Sequence, residues 1–137
     1  MKIKTLLTVS LSAISALALT APAQDVSKLP PVSPKTGVTY ETDIKPILDK
    51  SCVKCHSGDH PKAKLLLDSL EGVLKGSRDG LVVIVGKSEK SDIILAPAHL
   101  MDDQDEWMPP LKAGPKFPAL TPDQIGLLRA WVDQGAK

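Results

Sequence analysis

Apolar side chains recur at helical spacing just before the two cysteines of the chain: Ile44, Ile47, Leu48, Cys52 and Cys55. Positions separated by three, four and seven residues share one face of a helix. Asp43 is the expected cap of this helix, because its carboxylate can accept hydrogen bonds from the first free backbone N–H groups. Pro46 would then occupy the third helical position, where its missing N–H breaks no bond within the helix. The pattern predicts a helix that starts at Asp43 and continues into the cysteine pair.

A second amphipathic helix is predicted after Thr121, in the last part of the sequence. Thr121-Pro122-Asp123-Gln124 has the order of a helix start, with a hydroxyl cap, a proline at the first helical position and a glutamine three residues after the cap. Gly135 suits the stop of this helix. Its apolar stripe consists of Ile125, Leu128, Trp131 and Val132. The stripe needs a partner, and we expect it to pack on the apolar face of the first helix.

Residues 1–23 have the pattern of a secretory signal peptide, with a basic start, an apolar stretch over residues 6–19 and small residues at 21–23. The apolar stretch is shorter than the about 20 residues that a membrane-spanning helix needs. We therefore expect a chain that is exported to the periplasm, with no stable membrane insertion of the mature protein. Prolines in residues 24–39 indicate an extended leader, and the domain is expected to occupy residues 40–137.

Composition excludes one class of partner and adds one unexpected feature. The 137 residues carry a net charge of +1, which argues against a nucleic-acid partner, because such a protein needs a basic face that neutralises phosphates. Aromatic residues make up only 3% of the chain, although small domains usually rely on large side chains for their core. This shortage suggests that another group fills the centre of the domain.

The two cysteines lie in Cys52-Val53-Lys54-Cys55-His56, and CxxCH is the attachment signature of c-type haem. Residues i, i+3 and i+4 share a face on one helical turn. Two thiols can therefore reach the two vinyl groups of a haem while the imidazole reaches the iron. The motif predicts one covalently bound haem c, held by Cys52 and Cys55, with His56 as the proximal iron ligand.

Three other interpretations of this motif are open. A thiol oxidoreductase would place the motif at the start of a helix that follows a strand, whereas an apolar helical stripe precedes it here. A zinc site needs four ligands, and only His60 and His99 could join the motif. A plain disulfide is the simplest alternative. We favour haem attachment.

The second axial position of the iron decides between electron transfer and small-molecule chemistry. Met108 is the favoured distal ligand, because the prolines that follow it restrict the backbone that presents its thioether. Met101, His60, His99 and an open position are the alternatives. His60 lies in a turn by composition, and nothing in the sequence decides the role of His99.

Four acidic residues precede Trp107 and Met108: Asp102, Asp103, Asp105 and Glu106. They form either a solvated loop or a negative patch that steers a basic redox partner and stabilises the ferric state. A calcium site would be a third interpretation, although EF-hand spacing is absent. Trp107 is a candidate cofactor-binding residue that covers one haem edge or donates to a propionate, with ordinary packing as the alternative.

The segment between the helices, residues 62–100, has no continuous period. The apolar runs at 65–67 and 81–85 fit either strands or buried turns. Ser69 and Ser91 can each cap a short helix. We expect this segment to line the haem pocket with aliphatic side chains that limit the access of water.

Several motifs together resemble the planctomycete-type cytochrome c domain, a branch of the class I cytochromes c. In chain order they are Asp43-Ile44-x-Pro46-Ile47-Leu48, Cys52-x-x-Cys55-His56, Leu67-Asp68-Ser69, the glycine-containing stretch 75–86, Met108-Pro109-Pro110 and residues 120–136. The resemblance implies an all-α class I cytochrome c fold, with N- and C-terminal helices beside one covalently attached haem and short helices and loops between them. It also implies His56 as the proximal and Met108 as the distal ligand.

These features predict a periplasmic monohaem electron-transfer protein that exchanges electrons with redox partner proteins. Methionine ligation favours the ferrous state and a relatively high potential. An enzyme is not expected, since no separate set of catalytic acids and bases is visible. The alternative functions are a haem subunit of a dehydrogenase or peroxidase system and a redox or gas sensor with a labile sixth ligand.

Overall fold

The computed structural model describes residues 24–137; the predicted signal peptide, residues 1–23, lies outside the described residues. Across the described part, the chain forms helices and turns with no β-strand, only an isolated bridge between Ser77 and Gly80. The α-helices are α1 (Lys45–Ser51), α2 (Leu70–Lys75), α3 (Asp92–Leu95) and α4 (Pro122–Asp133). Single 3₁₀ turns lie at Val26–Lys28, Lys62–Lys64, Ser88–Lys90 and Gln104–Glu106. The predicted helical class is confirmed, and the apolar runs at 65–67 and 81–85 are irregular segments.

The first helix begins before Asp43, so the predicted cap is wrong. A π-helical turn, Tyr40–Ile44, precedes α1. Thr39 caps this turn, and its hydroxyl oxygen accepts a hydrogen bond from the backbone N–H of Thr42 at 3.4 Å. The Asp43 carboxylate instead accepts from the backbone N–H of Thr39 at 3.0 Å. The additional turn is favoured because it buries Tyr40 completely.

The start of α4 agrees with the sequence in detail. The hydroxyl of Thr121 accepts from the backbone N–H of Gln124 at 3.2 Å, and the Gln124 side chain accepts from the backbone N–H of Thr121 at 2.9 Å. This reciprocal pair is the predicted capping box. Gly135 follows the helix with a φ of 107°, a left-handed conformation that favours glycine.

The C-terminal helix packs against the Ser88–Lys90 turn and against the Tyr40–Ile44 turn. The rings of Tyr40 and Trp131 are both fully buried, and their centroids lie 6.1 Å apart. The Tyr40 hydroxyl donates to the carbonyl oxygen of Leu67 at 2.9 Å, and burial raises the pKa of Tyr40 to about 12. The N-terminal partner predicted for α4 is therefore present, but the contact falls one turn earlier than α1 itself.

The short helices between these elements form where serines precede them. Ser69 caps α2, and its hydroxyl oxygen accepts from the backbone N–H of Gly72 at 3.1 Å. Ser91 precedes α3, but its hydroxyl donates to the carbonyl oxygen of Lys87 at 2.9 Å. Ser91 is fully buried, so its hydroxyl ties the preceding turn to α3 instead of capping the helix.

Residues 24–39, which we name the N-terminal strap, lie along α4. The backbone N–H of Ser33 donates to the carbonyl oxygen of Gly126 at 3.0 Å. The side-chain amide of Gln134 donates to the carbonyl oxygen of Lys35 at 2.8 Å, and Arg129 donates to the carbonyl oxygen of Pro30. Proline content predicted the extended conformation of this segment, whereas its contacts with α4 leave no sign in composition. The domain boundary at residue 40 stays a prediction.

We predict that Gly126→Ala lowers the free energy of unfolding, as measured by chemical denaturation. Helix propensity alone would raise the free energy of unfolding, since alanine stabilises a helix interior by about 1 kcal/mol relative to glycine. A Cβ at Gly126, however, would lie 2.6 Å from the carbonyl oxygen of Pro31, and the strap would have to move and lose the hydrogen bond from Ser33. A Gly126→Ala protein of equal or higher stability would show that the strap is not held at this point.

Candidate haem site

A cavity of about 430 Å³ lies between the end of α1, the helices α3 and α4, and residues 101–120. This volume falls within the range of about 300–1,000 Å³ that is typical of small-molecule and cofactor sites. Aliphatic side chains form much of its wall, among them Leu48, Leu65, Leu67, Val82, Ile93 and Leu128. Both the middle segment and α4 contribute to it, as the sequence predicted. The fold therefore provides an apolar interior space that the few aromatic residues do not fill.

Both cysteines and His56 border this cavity. The helix predicted to run through the motif ends sooner, because α1 stops at Ser51. At that point the backbone N–H of Val53 bonds to the carbonyl oxygen of Leu48 at 3.0 Å, five residues back, which breaks the α-helical pattern. The backbone N–H of His56 still donates to the carbonyl oxygen of Cys52 at 3.2 Å. One helical turn therefore remains across the motif and keeps its three side chains on one side.

The thiols do not resemble those of a redox dithiol. Both are free, with Cys52 half-buried and Cys55 exposed. Burial raises the pKa of the Cys52 thiol to about 11, and the nearby Cys55 adds to this effect. Thiol oxidoreductases need a lowered pKa that supplies a thiolate. Within residues 24–137, no three or more His, Cys, Asp or Glu side chains are grouped so as to hold a metal ion, and the zinc interpretation gains no support.

His56 is suited to bind a metal. Its side chain is only 8% exposed, and its Nδ1 atom has no hydrogen-bond partner among the described residues. Burial lowers the pKa of His56, although backbone groups of Lys62 and Leu65 oppose the shift. The imidazole is therefore kept neutral, which is the form that coordinates metals.

The segment after the motif carries strain that the sequence did not signal. Ala63 and Lys64 have φ angles of 54° and 55°, a left-handed conformation that is costly for residues other than glycine. The carbonyl oxygen of Ala63 accepts from the backbone N–H of Arg78 at 2.8 Å. Ala63 and Arg78 both line the cavity. The strained turn therefore joins two parts of the cavity wall. Alanine and lysine do not favour a left-handed conformation, so the sequence could not indicate this turn.

Met101 and Met108 both reach the cavity, and both are half-buried. The backbone N–H of Met108 donates to the carbonyl oxygen of Ala96 at 3.0 Å, and the peptide bond between Met108 and Pro109 is cis. The structure thus brings both thioethers and the imidazole of His56 to one cavity. It does not place His60 or His99 in the cavity wall.

Trp107 lies beside the methionines but is not part of the cavity wall. Its indole N–H donates to the carbonyl oxygen of Met101 at 2.9 Å. Its ring stacks on the imidazole of His99, with centroids 4.9 Å apart and planes at 5°. The indole N–H is therefore already engaged by a main-chain carbonyl group, and the haem contact predicted for Trp107 stays a prediction.

Charged side chains stand around the cavity rim: Lys62, Arg78, Asp79, Asp92, Asp105 and Glu106. Asp105 and Glu106 belong to the acidic stretch, and all four acidic residues of that stretch are exposed. Asp92, in the first turn of α3, was missed by the sequence analysis. It is half-buried, and burial raises the pKa of its carboxyl group. Its position at a helix start carried no signal that distinguished it from an ordinary first-turn acid.

A helical fold with a CxxCH motif in the wall of an apolar cavity is the arrangement of a c-type cytochrome. In agreement, residues 52–112 match the family model described as Planctomycete cytochrome C. The match supports a planctomycete-type cytochrome c domain over these residues, as the motifs predicted, and that family implies haem c. No curated protein and no solved structure matches the chain.

The residues around the cavity fit such a group. Two free thiols are spaced for two thioether bonds, and a neutral buried imidazole follows the second one directly. The Nδ1 atom of that imidazole lacks a protein partner among residues 24–137. Apolar walls would contact the faces of a porphyrin, while the charged rim would remain at its edge.

We predict that Cys52→Ser/Cys55→Ser loses both its covalent haem and most of its ordered structure. The reason is that an unfilled cavity removes packing contacts from the surrounding core. The measurements are retention of haem colour after denaturation and helix content by circular dichroism. Cys55→Ser alone is the control, because it retains one attachment thiol. A colourless double variant with native helix content would contradict the prediction.

Proposed function

We propose that this protein is a periplasmic monohaem class I cytochrome c that carries electrons between redox partner proteins. The observation that carries the proposal is that Cys52, Cys55, His56 and Met108 all border one apolar cavity. The family match supports the coarser statement, a haem-containing electron-transfer protein. Assignment of His56 and Met108 as iron ligands belongs to the proposal.

Each residue has a distinct task in this proposal. Cys52 and Cys55 form the thioether bonds, and His56 provides the proximal imidazole. When bound, the haem supplies a one-electron Fe(III)/Fe(II) couple. The thioether of Met108 would be the second protein ligand of the iron and would favour the ferrous state. The aliphatic walls limit water near the iron, which raises the potential further.

Two sequence features support one haem and an exported location. The chain has two cysteines, both in the single CxxCH motif, and residues 1–23 have the signal-peptide pattern. Within residues 24–137, no helix is long and apolar enough to cross a membrane. If His56 and Met108 both hold the iron, no position is open to a small molecule, and we therefore propose a carrier rather than an enzyme or a gas sensor.

We predict that Met108→Ala abolishes the near-infrared thioether-to-iron charge-transfer band of the oxidised holoprotein and lowers its reduction potential. Loss of the distal ligand should also let the reduced protein bind carbon monoxide rapidly. Met101→Ala is the matched control, because Met101 lines the same cavity and should leave the band in place.

The two variants also separate the alternatives. Loss of the band in Met101→Ala but not in Met108→Ala would assign the other methionine. A holoprotein whose band and carbon monoxide binding are unaffected by both substitutions would contradict methionine ligation. Rapid carbon monoxide binding by the unaltered protein would favour a sensor or a peroxidase-type role.

The acidic stretch is proposed to steer a basic redox partner. We predict that Asp102→Lys/Asp105→Lys slows reduction by the cationic reagent hexaammineruthenium(II) by about tenfold at low salt, since attractive fields raise association rates by 10- to 1,000-fold. The rate should also depend less on ionic strength. Glu41→Lys/Glu71→Lys makes the same change in net charge at two other exposed positions. Equal rates for the two double variants would reject local steering.

A further inference from the structure

Three contacts converge on the two residues Trp107 and Met108. The Trp107 indole N–H donates to the carbonyl oxygen of Met101 at 2.9 Å, and the Trp107 ring stacks on His99 at 4.9 Å. The backbone N–H of Met108 donates to the carbonyl oxygen of Ala96 at 3.0 Å. All three partners lie within residues 96–101, which follow α3, so this short segment is tied to one part of the fold.

The chain on either side of this segment is held less firmly. Residues 102–106 are exposed on one side, and residues 110–112 are exposed on the other. The backbone hydrogen bonds that follow Met108 are local, from Ala113 to Pro110 and from Phe117 to Gly114. The position of the Met108 side chain in the cavity therefore depends largely on the contacts of Trp107 and of the Met108 backbone.

His99 provides the fixed surface for this arrangement. Its φ angle is 57°, a left-handed conformation that costs free energy for a residue with a side chain. Its Nε2 atom is buried without a partner among the described residues. Glycine at this position would relieve the backbone conformation, and an apolar side chain would remove the unpaired polar atom, so the imidazole carries two costs here. What the imidazole supplies in return is a flat face that is almost parallel to the indole.

We propose that Trp107, held by His99 and by the Met101 carbonyl group, is a positioning residue that keeps the Met108 thioether directed into the cavity. The inference rests on the proposed function, in which Met108 is the distal ligand. The hydrogen bond has a further effect, because it fixes the backbone of Met101. Only one of the two thioethers can bind the iron. The contacts of Trp107 with His99 and with the Met101 carbonyl group, which we name the clamp, hold the backbone of the other methionine in place.

The test uses the full-length holoprotein and the carbon monoxide binding rate of its reduced form, which rises with the population in which the methionine is detached. Trp107→Phe keeps an aromatic ring but removes the indole N–H. Loss of one hydrogen bond should raise the rate about fivefold. Trp107→Ala also removes the stacked ring, and the rate should rise by at least about tenfold. The near-infrared thioether band should weaken in the same order.

Trp131→Phe is the matched control. The Trp131 indole N–H also donates to a main-chain oxygen, that of Lys137 at 3.0 Å, but Trp131 does not line the cavity. Because phenylalanine keeps a ring against Tyr40, the packing of α4 on the Tyr40–Ile44 turn is retained. This substitution should therefore lower the free energy of unfolding and leave the band and the carbon monoxide rate unchanged. His99→Phe, which retains a flat ring, should keep more of the band than His99→Ala does.

The outcomes distinguish this inference from the proposed function. If the unaltered holoprotein shows the band, and both Trp107 variants keep its intensity and the original rate, the clamp is overturned while methionine ligation stands. If the unaltered protein lacks the band, the ligand assignment and the clamp fail together. Equal effects of Trp131→Phe and Trp107→Phe on the band would show a loss of general stability and would also overturn the clamp.

Discussion

The contact between Tyr40 and Trp131 joins the turn before α1 to the C-terminal helix, and the cavity depends on it. Both rings are fully buried, and the main-chain oxygen of Lys137 accepts from the backbone N–H of Tyr40 at 2.7 Å and from the indole of Trp131 at 3.0 Å. This contact sets α4 against the turn that leads into α1. Because Leu48 of α1 and Leu128 of α4 both line the cavity, its shape follows from this packing. Two of the four aromatic residues are thus used to join these segments, and the centre is left for a cofactor.

Features that local interactions determine could be predicted from the sequence. The capping box at Thr121 and the cap at Ser69 involve side chains and N–H groups three residues apart, so residue order is enough to predict them. The predicted start of the first helix was wrong. Packing of Tyr40 on Trp131, about ninety positions away, stabilises the earlier start more than a cap at Asp43 would stabilise the later one. The prolines of the strap indicated an extended segment. Its contact with α4 could not be predicted, because its hydrogen-bond partners lie on α4, far along the chain.

The same contrast between local and long-range interactions applies to the candidate haem site. CxxCH spacing located both thiols and the imidazole, and the prolines after Met108 indicated a constrained thioether. The sequence could not show that Trp107 contacts His99 and the Met101 backbone, because stacking is decided by the fold of the turn between them. Burial also sets charge states that composition does not reveal: it favours neutral forms of His56 and Cys52 inside the cavity, while the charged groups lie at the rim.

The strap has a consequence for the order in which the protein is built. The hydrogen bonds from Arg129 to Pro30 and from Gln134 to Lys35 each join residues that are 99 positions apart. Chains are synthesised from the N-terminus, so the strap exists long before the helix that receives it. Contacts of such large sequence separation also form late, because a long loop must close first. The strap is therefore synthesised early but docks among the last segments, and until α4 forms, its backbone groups are satisfied by water.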